Sequence, residues 1–203
     1  MTTSPTLTTN EIVNWHRTVC PVTPWLVISG DLPTGEVQAL EKLDEWIASG
    51  VTDIVDVRGE WSDADLVSAH APNIRYHYFG THDDGTSQDA KWFAKGIDAL
   101  HEAQAHDDAV VMVHCHMGIN RGPSMAFALL LDQGWGVSEA LDAIRAARPI
   151  AGIIYAHDAV QSVGRMKGLS KATITSQLRE VDEWQFRNHI DIRTIIRGIR
   201  QAS

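Results

Sequence analysis

The chain has 203 residues, 44% of them hydrophobic and 21% charged, which suits one globular domain with an extension and excludes a wholly disordered polypeptide. Its 17 basic and 26 acidic residues give a formal charge of −9, which argues against nucleic acid or an anionic membrane as a partner. The two cysteines, Cys20 and Cys115, show no C-x-x-C or zinc-type spacing, so no disulfide framework, metal or other cofactor is expected, and a reduced, cytoplasmic setting is.

The Thr/Ser-rich start, residues 1–10, is expected to fray and lacks the basic region and apolar core of a secretory signal. No apolar run nears the roughly 18 residues that a membrane span needs. Trp25-Leu-Val-Ile-Ser-Gly30 reads as a short strand ending at a glycine and the turn Asp31-Leu-Pro33. Over 36–49, Leu40, Leu43, Trp46 and Ile47 recur at helical spacing, and Gly50 closes the helix. Residues 51–57 and 74–79 read as strands, the second followed by the polar loop Gly80-Thr-His-Asp-Asp-Gly-Thr-Ser87. Trp92, Phe93, Ile97 and Leu100 mark a helix over 90–105, which Asp89 begins. Val110-Val-Met-Val113 is an unbroken apolar run, suited to a sheet covered on both faces. Helices follow at 123–133, 138–147 and roughly 156–165. Strands alternating with helices predict an α/β domain with a mostly parallel central sheet.

Beyond Gly168 the balance changes: residues 171–200 carry six basic and four acidic residues on an otherwise acidic chain. Leu178, Val181, Trp184, Ile192, Ile195, Ile196 and Ile199 predict amphipathic helix. It is expected to pack on the acidic core or on a second subunit, which makes a homo-oligomer through this extension a candidate assembly; a specific recognition tail is the other option. The chain divides into an N-terminal segment at 1–21, a domain at 22–168 and a helical extension at 169–203.

Chemistry concentrates in Val113-His-Cys-His-Met-Gly-Ile-Asn-Arg-Gly-Pro-Ser124, between an apolar strand and an apolar helix. A tight turn there points successive backbone N–H groups inward as a nest for phosphate oxygens, and the following helix adds its positive end. Pro123 fits the first turn of that helix, and Gly118 lets the loop turn. Arg121 can donate two parallel hydrogen bonds to a phosphate, which lysine cannot do with the same geometry. These fields are expected to depress the pKa of Cys115 and supply a thiolate nucleophile.

His114-Cys115-x-x-Gly118-x-x-Arg121 resembles the signature of the protein tyrosine phosphatase superfamily, in particular its dual-specificity branch, and weaker similarity covers about residues 22–168. The resemblance implies a four- or five-stranded sheet flanked by helices and metal-independent hydrolysis of a phosphate monoester through a phosphocysteine on Cys115. Substrate contacts would come from His116, Met117, Gly118, Ile119, Asn120 and Arg121, with His114 a buried hydrogen-bonding support and Ser124 a second one. An aspartate about thirty residues upstream is expected as general acid; Asp83 fits an ungapped count, and Asp84 fits the spacing from Tyr78. His82 and Arg58 are further candidates for the mouth. The family usually has Ser or Thr after the arginine, to stabilise the departing thiolate, and this chain has Gly122. That departure keeps a phosphate-binding pseudophosphatase as the alternative, with a cysteine-loop sulfurtransferase behind it. The loop holds no lysine, which favours a phosphoprotein or a singly phosphorylated small molecule over a polyphosphorylated lipid.

Overall fold

The computed structural model describes residues 14–202. The fraying expected for residues 1–10 lies outside them. Five strands form one sheet: β1 (Cys20–Thr23), β2 (Leu26–Ser29), β3 (Asp53–Arg58), β4 (Arg75–Thr81) and β5 (Val111–His114). Their order is β1-β2-β5-β3-β4, with β1 antiparallel to β2 and the other pairs parallel. Helices α1 (Glu36–Ala48), α2 (Ala64–His70), α3 (Ala90–Ala103), α4 (Arg121–Asp132), α5 (Val137–Ala147), α6 (Ala156–Met166), α7 (Lys171–Arg187) and α8 (Ile192–Ala202) complete the described chain.

Strand alternation divides the core. Leu26, Ile28, Val55, Val57, Val111 and Val113 point to one face, where they meet buried side chains of α3 to α7. Val27, Ile54 and Met112 point to the other, against Leu43 and Trp46 of α1 and Val67 of α2. Because both faces are covered, β5 is buried along its whole length, as an unbroken apolar run requires. Helix α4 goes further, with every residue from Arg121 to Leu131 buried. Each fully buried large aliphatic or aromatic side chain contributes roughly 1.5–3 kcal/mol, so this helix is a principal source of stability.

The expected strands and helices are present with ends shifted by a few residues. Two elements were not foreseen. Strand β1 is four residues long and contains Pro21, which an edge position tolerates because only one side of the strand is paired. Helix α2 has seven residues and a single buried side chain, too little for a periodic pattern.

The extension folds as two helices. Ser170 caps α7 by accepting from the Thr173 N–H at 3.1 Å. Trp184 of α7 is buried, donates to Asp142 of α5 at 2.6 Å, and lies under Arg145 at 4.9 Å. In α8, Ile195 and Ile199 are buried with Ile119 and Ile150. The extension therefore packs on the domain itself. Among the described residues no helix is long and apolar enough to cross a membrane.

Candidate active site

The parallel strand β5 delivers His114 and Cys115 to the carboxyl edge of the sheet, and α4 begins six residues after the cysteine at Arg121. The intervening loop doubles back at Gly118, whose φ of +63° suits glycine; a Cβ there would also overlap the Arg148 guanidinium. Arg148 is fully buried and has no carboxylate partner among the described residues. It donates instead to the carbonyls of Gly118 (2.6 Å), Met117 (3.2 Å), His16 (3.0 Å) and Thr18 (3.1 Å), and to the Cys20 sulfur at 3.3 Å. One side chain thus ties the cysteine loop to the start of the described chain. Sequence reasoning passed over it, because an arginine before Pro149 at a helix end reads as a surface charge.

Cys115 is buried, and the N–H groups of Gly118 and Gly122 are directed to its sulfur. Burial nevertheless pushes its thiol pKa up, against the lowering effect of Arg121 and those N–H groups. This corrects the expectation of a depressed value: burial outweighs the favourable groups, and the charge of Asp83 adds to it. Arg121 donates to both carboxylate oxygens of Glu60 at 2.8 and 2.7 Å and to the Thr81 carbonyl at 2.8 Å, and its Nε lies 3.4 Å from Asp83. The fork that would hold a phosphate is thus engaged by a carboxylate. Burial disfavours the Arg121 charge, yet Glu60 and Cys115 outweigh it and hold the guanidinium firmly protonated. Glu60 was not anticipated; it follows Gly59 at the end of β3 and carries no motif.

The two aspartates differ sharply. Asp83 Oδ1 accepts from Asn120 Nδ2 at 2.7 Å and from the Tyr155 hydroxyl at 2.8 Å. Asn120 is itself fixed, its Oδ1 accepting from the Ile154 N–H at 2.7 Å and from Ser124 Oγ at 3.2 Å. Ser124 also accepts from the Tyr155 N–H at 3.2 Å, so it braces the loop. Asp84 closes a turn on Thr86, accepting from its N–H at 3.0 Å and its hydroxyl at 2.8 Å; these bonds lower the pKa of its exposed carboxyl. Gly122 lies in helical backbone, where a Cβ would stand 3.5 Å from the Cys115 sulfur in ordinary contact.

His114 is buried as expected, but neither ring nitrogen has a hydrogen-bond partner among the described residues, and Nε2 lies 3.7 Å from the Asp56 carboxylate. The expected hydrogen-bonding role is therefore corrected. Burial drives its pKa down to about 4, only partly opposed by Asp56. His116 reaches the cleft and sets Nδ1 2.6 Å from Asp31, with Trp61 edge-on at 5.5 Å. Burial would raise the Asp31 carboxyl, but hydrogen bonds with His116 and His16 and the charge of Arg17 hold it well below the usual range. Arg58 is buried under the site, bonded to Asp56 at 2.6 Å and Asp63 at 2.5 Å, so it does not line the mouth. Nor does His82. Asp56, Asp63 and His114 form the one group among the described residues with metal-ligand proximity, but the Arg58 guanidinium already bonds both carboxylates, so the donor set does not fit a metal.

These residues border a cleft of about 330 Å³. Its wall includes Cys115, His116, Met117, Ile119, Asn120 and Arg121 from the loop; Asp83 and Asp84 face it from the β4–α3 loop and Glu60 from the end of β3. Gly118 contributes the turn beneath them. The remaining border comes from Gly85, Ile154 and α8.

The dual specificity phosphatase catalytic domain family matches residues 37–156, more than half of the chain. The chain belongs to that family. Dual-specificity phosphatases also share its fold: human DUSP28 superposes with a TM-score of 0.59 at 17% identity, covering 73% of this chain and 95% of that one. DUSP15 gives 0.56 at 20% identity, with 86% and 97% covered. PTPMT1 gives 0.56 at 18% identity, with 74% and 99% covered. No curated protein matches the sequence. The family match ends at the first residue of α6, so α7 and α8 lie beyond it.

Proposed function

We propose that this dual-specificity-phosphatase-family protein hydrolyses phosphate monoesters through a phosphocysteine on Cys115. The observation that carries the proposal is the convergence, in one cleft, of Cys115, the Arg121 fork and a doubly hydrogen-bonded Asp83. An incoming phosphate takes over the Arg121 fork from Glu60 and fills the N–H nest. With Glu60 displaced, the Arg121 guanidinium and the loop N–H groups favour the thiolate, and the thiol gives its proton to solvent water as substrate binds. The thiolate attacks phosphorus, the P–O bond to the leaving group breaks, and Asp83 gives that oxygen its proton. Water then attacks the phosphocysteine, returns a proton to Asp83 and expels the thiolate. Asn120 and Tyr155 are positioning residues for Asp83, and Ser124 holds Asn120.

The substrate is a phosphoprotein or a small phosphorylated molecule. PTPMT1 has been crystallised with PI(5)P, so a phosphoinositide belongs in the test panel beside a phosphopeptide, a phosphosugar and an aryl phosphate. Cys115→Ser should abolish turnover of the aryl phosphate yet still bind vanadate, and Arg121→Lys should lose at least about a hundredfold in kcat/KM. Turnover surviving in Cys115→Ser would sink the covalent mechanism. The raised Cys115 thiol and the Glu60 clasp favour one second reading, a phosphate-binding protein without turnover. Wild-type protein that binds vanadate but hydrolyses nothing in the panel would select it.

A further inference from the structure

Helix α8 lies beyond the matched family residues and yet borders the Cys115 cleft with Ile192, Ile196 and Arg200. Their spacing of four puts them in one row along the helix. Ile195 and Ile199 are buried against Ile119 and Ile150, which fixes how that row faces the cleft. At 1.5 Å per residue the row is about 12 Å long. Its two isoleucines continue an apolar border formed by Met117, Ile119 and Ile154, and the row ends in a guanidinium.

Among the described residues, the acidic groups of the cleft and Arg121 are held by hydrogen bonds or ion pairs, with one charged side chain left over. Glu60 and Asp83 lie on Arg121, Asp83 is also bonded by Asn120 and Tyr155, and Asp84 is taken up by Thr86. Arg200 is exposed and has no hydrogen bond or ion pair among the described residues. An apolar border ending in an unmatched cation suits a leaving group that is apolar in the middle and anionic at the far end.

We propose that α8 is the substrate-selecting wall: the preferred substrate is a phosphomonoester whose leaving group has an apolar body and a second anionic group, carboxylate or phosphate, bound by Arg200. This rests on the phosphatase mechanism above, with Arg121 taking the reacting phosphate and Arg200 the other charge. The second anion belongs either to a small molecule or to an acidic side chain beside a phosphorylated residue.

The test compares kcat/KM for phenyl phosphate with that for its 3- and 4-carboxy derivatives, and for a phosphotyrosine peptide flanked by glutamate with its glutamine counterpart. Wild-type protein should prefer the extra anion by about tenfold in at least one pair, the scale of a hydrogen bond between charged groups. Arg200→Ala should erase that ratio, Arg200→Lys should restore part of it, and added salt should shrink it. Dependence confined to the aryl pair assigns a small molecule, and dependence confined to the peptide pair assigns an acidic flank. A wild-type ratio near one in both pairs, or a ratio that Arg200→Ala leaves intact, overturns the proposal. Turnover retained in Cys115→Ser overturns the mechanism instead, so the two failures are distinct. Equal thermal midpoints for the Arg200 variants exclude misfolding as the cause of a changed ratio.

Discussion

Asp83 and Asp84 occupy one loop and meet different neighbours: Asn120 and Tyr155 bond the first, while the second closes its own turn on Thr86. A general acid must carry its proton, so the rate should fall as pH rises through its pKa. Asp83→Asn should remove that basic limb and cut kcat for an alkyl phosphate by about a hundredfold or more, with a smaller loss on an activated aryl phosphate. Asp84→Asn should leave the limb in place. Full pH–rate profiles on both substrates decide between them, and a limb lost only in Asp84→Asn would reverse the assignment. Gly122 poses the second residue-scale question. Without a hydroxyl near the sulfur, expulsion of the thiolate lacks one stabilising donor, and phosphocysteine breakdown should be the slow step. Rapid mixing should show a burst of leaving group before a slower steady rate. Because a Cβ at this position makes only ordinary contacts, Gly122→Ser should fold and speed the steady phase. A linear wild-type trace at enzyme concentrations able to reveal a burst would refute slow breakdown.

At the scale of elements, periodicity and composition carried most of the fold: the apolar run of β5, the alternating elements and the amphipathic extension were all legible in the sequence. What escaped had a physical reason. Strand β1 is too short for alternation and contains a proline, and α2 has one buried side chain. The extension read as a single amphipathic stretch, but it breaks between α7 and α8, and only the tertiary structure brings α8 to the cleft. The cysteine loop was legible because Cys115, Gly118 and Arg121 are local in sequence. Glu60, Tyr155 and Arg148 were not, since each meets the site across at least thirty residues of chain. The thiol pKa was misjudged for a related reason: the nest and Arg121 are local in sequence, whereas the burial that outweighs them comes from tertiary packing around Cys115.

For the whole molecule, buried titrating groups set the response to acid. His114 ordinarily titrates near 6.5, and burial lowers it to about 4. Between those values the unfolded chain binds a proton that the folded chain refuses, so stability should decline as pH falls from 7 to 4, by at most about 3 kcal/mol. Below that, Asp53, which burial would raise but hydrogen bonds with His77, Arg75 and Thr52 hold at about 2, extends the loss. Urea midpoints measured from pH 7 to 4 should therefore fall, and His114→Gln should flatten the upper part of the curve; a flat wild-type curve would refute this. The same packing has a consequence for catalysis. Helix α4, whose first turn carries Arg121 and directs the Gly122 N–H to the Cys115 sulfur, is buried from Arg121 to Leu131. It cannot shift without opening the core, so, on the proposed mechanism, the seat for an oxyanion would be assembled once, when the chain folds, and be preorganised before substrate arrives. Reorganisation on substrate arrival is then confined to mobile side chains at the rim, with the backbone dipoles already aimed at the charge they will stabilise.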